Sequence, residues 1–447
     1  MASLKGLLQP ALTGLLTSDA LLQARRQGLE TWRRLARYPH RIGVWLRADD
    51  PYSYLLSQAL LQFRQDFPDV VWELHILRGV DEQTTSEPER LARYAFLDSQ
   101  RLASWLDLKA PSVEQLDVTQ LKLTEAALVA TSNQSDHDAL KLAHKLLKAL
   151  WQGDTSKTHE LAQFIELPAP QVLSKQLTNN REQQRRQGHY ASAMLHYAGE
   201  WYWGVDRLGH LAERLSDLEL GTPTQRWHPD LDSHFLNNEP TQLASIRASE
   251  GRLDFYFSFR SPYSYLALQG ARDLAEHYGL RLVMRPVLPM VMRGLPVPDS
   301  KKRYILEDAS REARRQRIPF GRICDPLGAG VERCLAVWLK AESSHQRGFD
   351  FINAAARRIW SEGADMSQDA PLLAAAKEAG LKPIDVKIAL ADNSWRERVE
   401  RHRKALYEMQ LWGVPSFVLR VNEQRCATWG QDRLWVIEDA LHQQVTK

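Results

Sequence analysis

Only three cysteines, Cys324, Cys334 and Cys426, occur in 447 residues, and none forms a C-x-x-C pair. That scarcity excludes a disulfide-stapled scaffold and leaves dithiol exchange without its motif; a reducing, cytoplasmic setting is the simplest expectation. Long apolar runs are also missing, since no stretch approaches the roughly 18 residues a spanning helix needs. The N-terminal MASLKGLLQPALTGLLTSDALLQ is interrupted by Gln9, Pro10 and Thr13 and has no small-residue cleavage site, so it reads as a mature arm rather than a secretory signal. A net charge of +3 is too slight for the dense positive face that phosphate neutralisation demands, which argues against nucleic acid as a partner. The basic cluster REARRQR, 311–317, reads as a solvated helix face. No H-E-x-x-H or Cys/His spacing supports a metal, and no P-loop or G-x-G-x-x-G supports a nucleotide.

What is present is 44% hydrophobic and 25% charged residues, the balance of a soluble globular protein, in a chain long enough for two domains. The chain repeats itself over a long range. PYSYL at 51–55 returns at 262–266; Arg93, Tyr94, Asp98 and Arg101 are matched by Arg303, Tyr304, Asp308 and Arg311; WGVDRL at 203–208 is answered by WGQDRL at 429–434. ALWQGD, ending at Asp154, is echoed more weakly by RIWSEGAD, ending at Asp365. The offsets are 211, 210 and 226 residues, so two whole domains are duplicated, with about fifteen residues lost late in the first copy. The expected division is an N-terminal helical arm at 1–38, a first domain at 39–218, a linker at 219–250 rich in Pro, Asn, Ser and Thr, and a second domain at 251–447. Within the arm, Leu22, Leu29 and Trp32 predict an amphipathic helix over 17–37.

In the second copy LDFYFSF, 253–259, predicts a strand, Ser261 and Pro262 match the N-cap and N1 preferences of a following helix, and LRLVMRPVLP predicts the next strand. A helix-rich stretch follows to about 411, then VPSFVLRV, a turn at NEQ, RCATWG and a final helix DRLWVIEDALHQQV. A β-α-β unit, a helical insertion and a β-β-α unit make an α/β, thioredoxin-like domain, and the duplication predicts two in tandem.

The second copy resembles the DsbA-like branch of the thioredoxin superfamily that holds 2-hydroxychromene-2-carboxylate isomerase and the kappa-class glutathione transferases. The likeness rests on DFYFSFRSPYSYLA, RPVLP, KKRYILEDASREARRQRIPF, IWSEGADMSQDAPLLAAAKEAG, WGVPSFVL and WGQDRL taken together. It implies glutathione as cofactor, lying across the core at the helix N-terminus with its sulfur facing Ser261. Independently of the likeness, a hydroxyl and free N–H groups at a helix N-terminus favour an anion. The resemblance further implies a cis Pro415, with the Val414 backbone pairing with the cysteinyl part of the tripeptide. Asp432 would grip the γ-glutamyl ammonium and Gln431 its carboxylate. The loop MVMRGLPVPDSKK lacks the family's Asn-Lys-Pro-Pro element, leaving Arg293, Lys301 or Lys302 as candidates for charge at the glycyl end. Tyr263, Met290 and Trp412 are the expected walls of a pocket for a small, aromatic-derived substrate.

The implied chemistry is addition of the glutathione thiolate to an unsaturated carbon, giving isomerisation if the thiolate leaves and transfer if it stays. The bland readings are a routine Ser-Pro cap, a strand-edge proline and a dipole-favoured aspartate; the three motifs in the family's order outweigh them. The alternative functions are a non-catalytic thioredoxin-like module that binds a peptide or protein by strand addition, and an oxidoreductase-like protein of the same family without C-x-x-C. The first copy has Asp50, with Asp49 beside it, at the serine position, and GHYASA in place of GVPSF, which places Tyr190 where the second copy has its proline. It reads as a degenerate domain in a chain that is either a monomer with internal pseudo-dimeric pairing or a homodimer.

Overall fold

The computed structural model describes residues 4–81, 84–132, 136–224, 227 and 251–445; the expected linker 219–250 lies mostly outside them. Contacts divide the chain into two units, Arg25–Pro229 with Pro298–Tyr304, and Met1–Ala24 with Asp230–Val297 and Ile305–Lys447.

The first unit is built on strands β1 (His40–Arg47), β2 (Val70–Leu77), β3 (Met194–Tyr197) and β4 (Glu200–Trp203). Their order is β2-β1-β3-β4, with β1 parallel to β2 and antiparallel to β3. The helix Pro51–Asp66 supplies the crossover between β1 and β2, and the helices from Pro88 to Arg186 fill the long connection to β3. Helix Asp19–Ala36 lies near β4, where Arg26 makes a two-pronged ion pair with Glu200 at 2.8 and 2.9 Å. Leu22 and Leu29 are half-buried, but Trp32 is 60% exposed, so the expected apolar stripe is not covered along its whole length.

The second unit repeats the plan with β5 (Arg252–Phe257), β6 (Arg281–Pro286), β7 (Ser416–Val421) and β8 (Gln424–Trp429), ordered β6-β5-β7-β8. Strand β5 is central and buried on both faces, which is why it reads as an aromatic run rather than a strict alternation. On one face Phe255 packs on Phe417, ring centroids 4.7 Å apart. On the other the carboxylate of Asp254 receives Arg252, Arg285 and Arg420 at 3.1, 3.2 and 2.9 Å. Helix Pro262–His277 follows β5 and ends at Gly279, whose φ of 65° is easy only for glycine; Leu280 N–H then closes the end on Ala275 O at 2.8 Å.

Helices Asp299–Arg315, Ala329–Ala341, His345–Arg357, Asp369–Glu378 and Pro383–Ala391 form the insertion. Helix Trp395–Glu408 returns to the sheet, where His402 Nδ1 donates to Pro286 O at 2.9 Å. The final helix is Leu434–Val445. A further helix, Leu4–Leu16, is held to this unit although Pro10 lies inside it: Ile323 N–H donates to Thr13 Oγ1 at 2.9 Å and Asp325 N–H to Gln9 Oε1 at 3.1 Å.

The duplication is visible atom by atom. Asp50 and Ser261 are both N-caps, with φ, ψ of −116°, 113° and −110°, 113°. Tyr52 donates to Asp98 and Tyr263 to Asp308, each at 2.8 Å. Trp151 Nε1 donates to Ala48 O and Trp360 Nε1 to Phe259 O, at 3.0 and 3.2 Å, so the weak ALWQGD echo marks a real equivalence.

Two sequence readings are corrected. The ladder pairs Trp45 with Met194 and Tyr256 with Ser416, so Ala193, not Tyr190, occupies the place of Pro415. Gly204 N–H bonds Ala193 O as Gly430 N–H bonds Pro415 O, and Ala193 has a φ of 54°, which a proline ring forbids. The cluster 311–317 is not wholly a solvated face: Arg314 and Arg317 are exposed, but Arg311 and Glu312 are buried and paired with Asp308 and Arg315.

Candidate functional site

Strand β5 and helix Pro262–His277 meet at a tight turn that delivers Ser261 to the C-terminal end of the parallel strands, the usual place for a site in an open α/β sheet. Ser261 N–H donates to Ser258 O at 3.0 Å, and its Oγ accepts from Ser264 N–H at 3.1 Å, filling one of the helix's four unsatisfied donors. The same hydroxyl lies 3.4 Å from the carbonyl oxygen of Val414, across 153 residues of sequence. Ser261 and Val414 are both half-buried. The Val414–Pro415 peptide is cis. Val414 precedes the first paired residue of β7, Ser416, so its main chain stands beyond the ladder at the sheet's end.

This approach is fixed from behind. Ser416 Oγ donates to Gly413 O at 2.9 Å, and Trp429 lies so close to Gly413 that an added Cβ would come within 2.5 Å of its ring. Trp412 is buried against Trp429, centroids 4.9 Å apart. Gly430 N–H holds Pro415 O at 3.0 Å, which ties the turn before the last helix to the cis-proline segment.

On that turn Gln431 is 4% exposed; its Oε1 accepts from Gln316 at 2.9 Å and its Nε2 donates to Glu312 at 3.0 Å. Asp432 is half-buried, with Arg433 Nη1 at 3.3 Å from its carboxylate. Arg260, beside Ser261, forms a two-pronged ion pair with Asp325, both contacts 2.8 Å. Sequence reasoning passed over Arg260, Glu312 and Gln316; only the REARRQR cluster, where a Glu and a Gln interrupt the basic run, carried a signal.

Of the expected pocket walls, Tyr263 turns its hydroxyl to Asp308, Trp412 packs tilted against Trp429, and Met290 is half-buried at the start of a short 3-10 turn, Met290–Arg293. Among the glycyl-end candidates, Arg293 donates to Trp412 O at 3.1 Å, Lys302 pairs with Asp299 at 2.9 Å, and Lys301 donates to Thr84 O at 2.9 Å within the first unit. Cys324 and Cys334 are buried, Cys426 is half-buried, and burial pushes the Cys334 thiol up, away from thiolate chemistry. Among the described residues no cluster of His, Cys, Asp and Glu could hold a metal, and no helix is long and apolar enough to cross a membrane.

In the first unit the equivalent position is filled by the chain's own atoms. Asp50 caps its helix through Tyr52 N–H at 3.2 Å, and its other oxygen accepts from Ser53 Oγ and Ser192 Oγ, both at 2.8 Å. By the ladder Ser192 is the counterpart of Val414, so a carboxylate and a hydroxyl bridge the same gap from within.

A serine-capped helix facing a main-chain segment beside a cis-proline, on a four-stranded sheet split by helices, defines a thioredoxin-like domain of the DsbA type. Residues 252–442 match the family model of the DSBA-like thioredoxin domain. Its relatives include the 2-hydroxychromene-2-carboxylate isomerases of Pseudomonas putida and Sphingobium xenophagum. Each is 26% identical over 197 residues, 42% of this chain, and the match covers 93% and 97% of those proteins. A solved structure of a 2-hydroxychromene-2-carboxylate isomerase matches with a TM-score of 0.37 and 24% identity, over 43% of this chain and 95% of that one.

Proposed function

We propose that the second unit is a glutathione-dependent isomerase or transferase acting on a small, aromatic-derived substrate, with Ser261 at the sulfur. The observation that carries this reading is the 3.4 Å approach of Ser261 Oγ to the Val414 carbonyl at the N-terminus of a 16-residue helix. A hydroxyl donor and the positive end of a helix favour a thiolate over a thiol, and main chain standing beyond a β-ladder offers an extended peptide strand-like hydrogen bonds. The relatives' name supports the aromatic substrate class and the isomerase outcome.

In this reading the bound tripeptide lies along Val414, with its cysteinyl sulfur at Ser261. Asp432 takes the ammonium. Gln431 donates to the γ-glutamyl carboxylate from its Nε2, the end of the amide that also bonds Glu312, while its Oε1 keeps the bond from Gln316. Ser261 holds the thiolate while the sulfur forms a bond to an unsaturated substrate carbon; loss of the same thiolate after rotation gives isomerisation.

The test is calorimetry of the full chain with glutathione and S-methylglutathione, joined to thiolate absorbance of bound glutathione against pH. The expected result is one equivalent bound, with the bound thiol ionising below its free value of about 8.5. Ser261→Ala should keep most of the affinity and return the thiol to its free value. Absence of binding for both ligands overturns the proposal and favours a peptide-binding module instead.

A further inference from the structure

Helix Leu4–Leu16 lies on the second unit with its polar side inward. The chain at 321–325 runs alongside it in the opposite direction: Gly321 stands against Thr17 and Arg322 against Gly14, while Ile323 N–H donates to Thr13 and Asp325 N–H to Gln9. Pro10 is buried, pressed on Gly363 so closely that no side chain would fit there. Leu8, Leu12, Leu15 and Leu16 share the other face at helical spacing, each between 57% and 63% exposed, and Ala11 among them is exposed too. A surface helix of a globular domain ordinarily buries its apolar stripe; this one is held by its polar groups and turns its leucines to solvent.

The flank of the same helix is cationic. ARRQRIPFGRIC, 313–324, holds four arginines and no carboxylate. Arg315 is engaged by Glu312, and Arg314 is exposed and donates to Thr17 O at 3.2 Å, just past the helix's end. Arg317 and Arg322 are exposed and, among the described residues, enter no ion pair. The carboxylates nearby are occupied, Asp325 by Arg260 and Glu362 by Arg357. Within residues 1–24 Lys5 and Asp19 are the only charged residues, so they cancel and the neighbouring arginines set the sign.

Leucines edged by guanidinium groups match a hydrocarbon layer edged by anionic headgroups. A second copy seated on the row would bring two arginine segments together with one Asp19 from each to set against them. Cores of protein interfaces also favour aromatic side chains, and the row has none. At 13 residues the helix is too short to span a bilayer, so it would lie in the plane of the surface.

We propose that helix Leu4–Leu16 docks the chain on an anionic lipid surface, its four exposed leucines entering the acyl boundary while Arg317 and Arg322 stay at the headgroups. The contact does not depend on the glutathione reading.

The experiment is flotation of the full chain with vesicles of phosphatidylcholine alone and of phosphatidylcholine with phosphatidylglycerol, at low and high salt, beside sedimentation without lipid. Mixed vesicles should bind at least tenfold more tightly than neutral ones, and salt should remove most of that preference. Arg317→Gln with Arg322→Gln should weaken binding to mixed vesicles by about fivefold per charge removed and leave neutral vesicles unchanged. Leu12→Gln with Leu15→Gln should abolish binding to both kinds, and melting curves should not move, because both side chains are exposed. No binding to mixed vesicles, equal binding to the two kinds, indifference to either pair of substitutions, or a dimer in solution that the leucine substitutions dissociate would each overturn the assignment; the last would give the face to a second copy.

Discussion

Gly413→Ala puts the geometry behind Val414 to a direct test. A Cβ at this position would stand 2.5, 2.6 and 2.7 Å from Cε2, Nε1 and Cζ2 of Trp429. These are atoms of a rigid ring, and the ring is backed by Trp412 at a centroid distance of 4.9 Å, so it cannot retreat toward Trp412. The φ of Gly413 is not positive, so the conflict is steric and the backbone itself can accept alanine. Overpacking of this kind costs about 1–3 kcal/mol, against a gain of roughly 0.4–1 kcal/mol from the stiffer unfolded chain, for a net loss of about 1–2 kcal/mol. The main chain of 412–415 should yield before the indole does, and in yielding it would carry the Val414 carbonyl away from Ser261. Hydrogen exchange of peptides spanning 409–421, set beside glutathione affinity, reads both effects: faster exchange confined to this segment and at least a tenfold loss of affinity are expected. Unchanged exchange and unchanged affinity would refute the idea that Trp429 fixes the main chain at the site.

Asp254→Asn removes the one carboxylate among Arg252, Arg285 and Arg420, leaving three guanidinium groups crowded on a buried position; a loss of about 3–5 kcal/mol is expected in urea unfolding followed at the second unit. His402 is held neutral: burial lowers its pKa to about 4, and Nε2 has no hydrogen-bond partner to receive a charge. Because its folded pKa lies below the unfolded value of about 6.5, the stability it contributes is present above that value and is lost as pH falls toward 4, by a few kcal/mol. Melting temperatures of the wild type should therefore drop across this window, and His402→Gln should flatten the part of the slope that belongs to the second unit.

The repeated PYSYL and WG-x-DRL motifs were enough to read two equivalent halves, and the β-α-β and β-β-α order of the second copy to read them as thioredoxin-like, because each motif marks a strand-to-helix turn or a helix start whose conformation is set locally. The same locality explains why Ser261 was legible as a cap and why Val414, four residues past a tryptophan-bearing loop end at Gln410, was legible only through resemblance. Position 193 was misread for a physical reason: matching GHYASA to GVPSF by letters cannot count residues across a loop, whereas pairing with β1 does. Glu312 and Gln316 escaped notice because a Glu and a Gln interrupting a basic run do not by themselves say which way they turn, here inward to meet Gln431.

Asp50 and Ser192 give the first unit a tethered competitor. A group attached to the wall it binds acts at an effective concentration in the millimolar range or above, and here it already holds the donors that an incoming anion would need. A diffusing thiolate would have to outcompete a partner that never leaves, so titrations of the whole 447-residue chain should saturate at one equivalent rather than two.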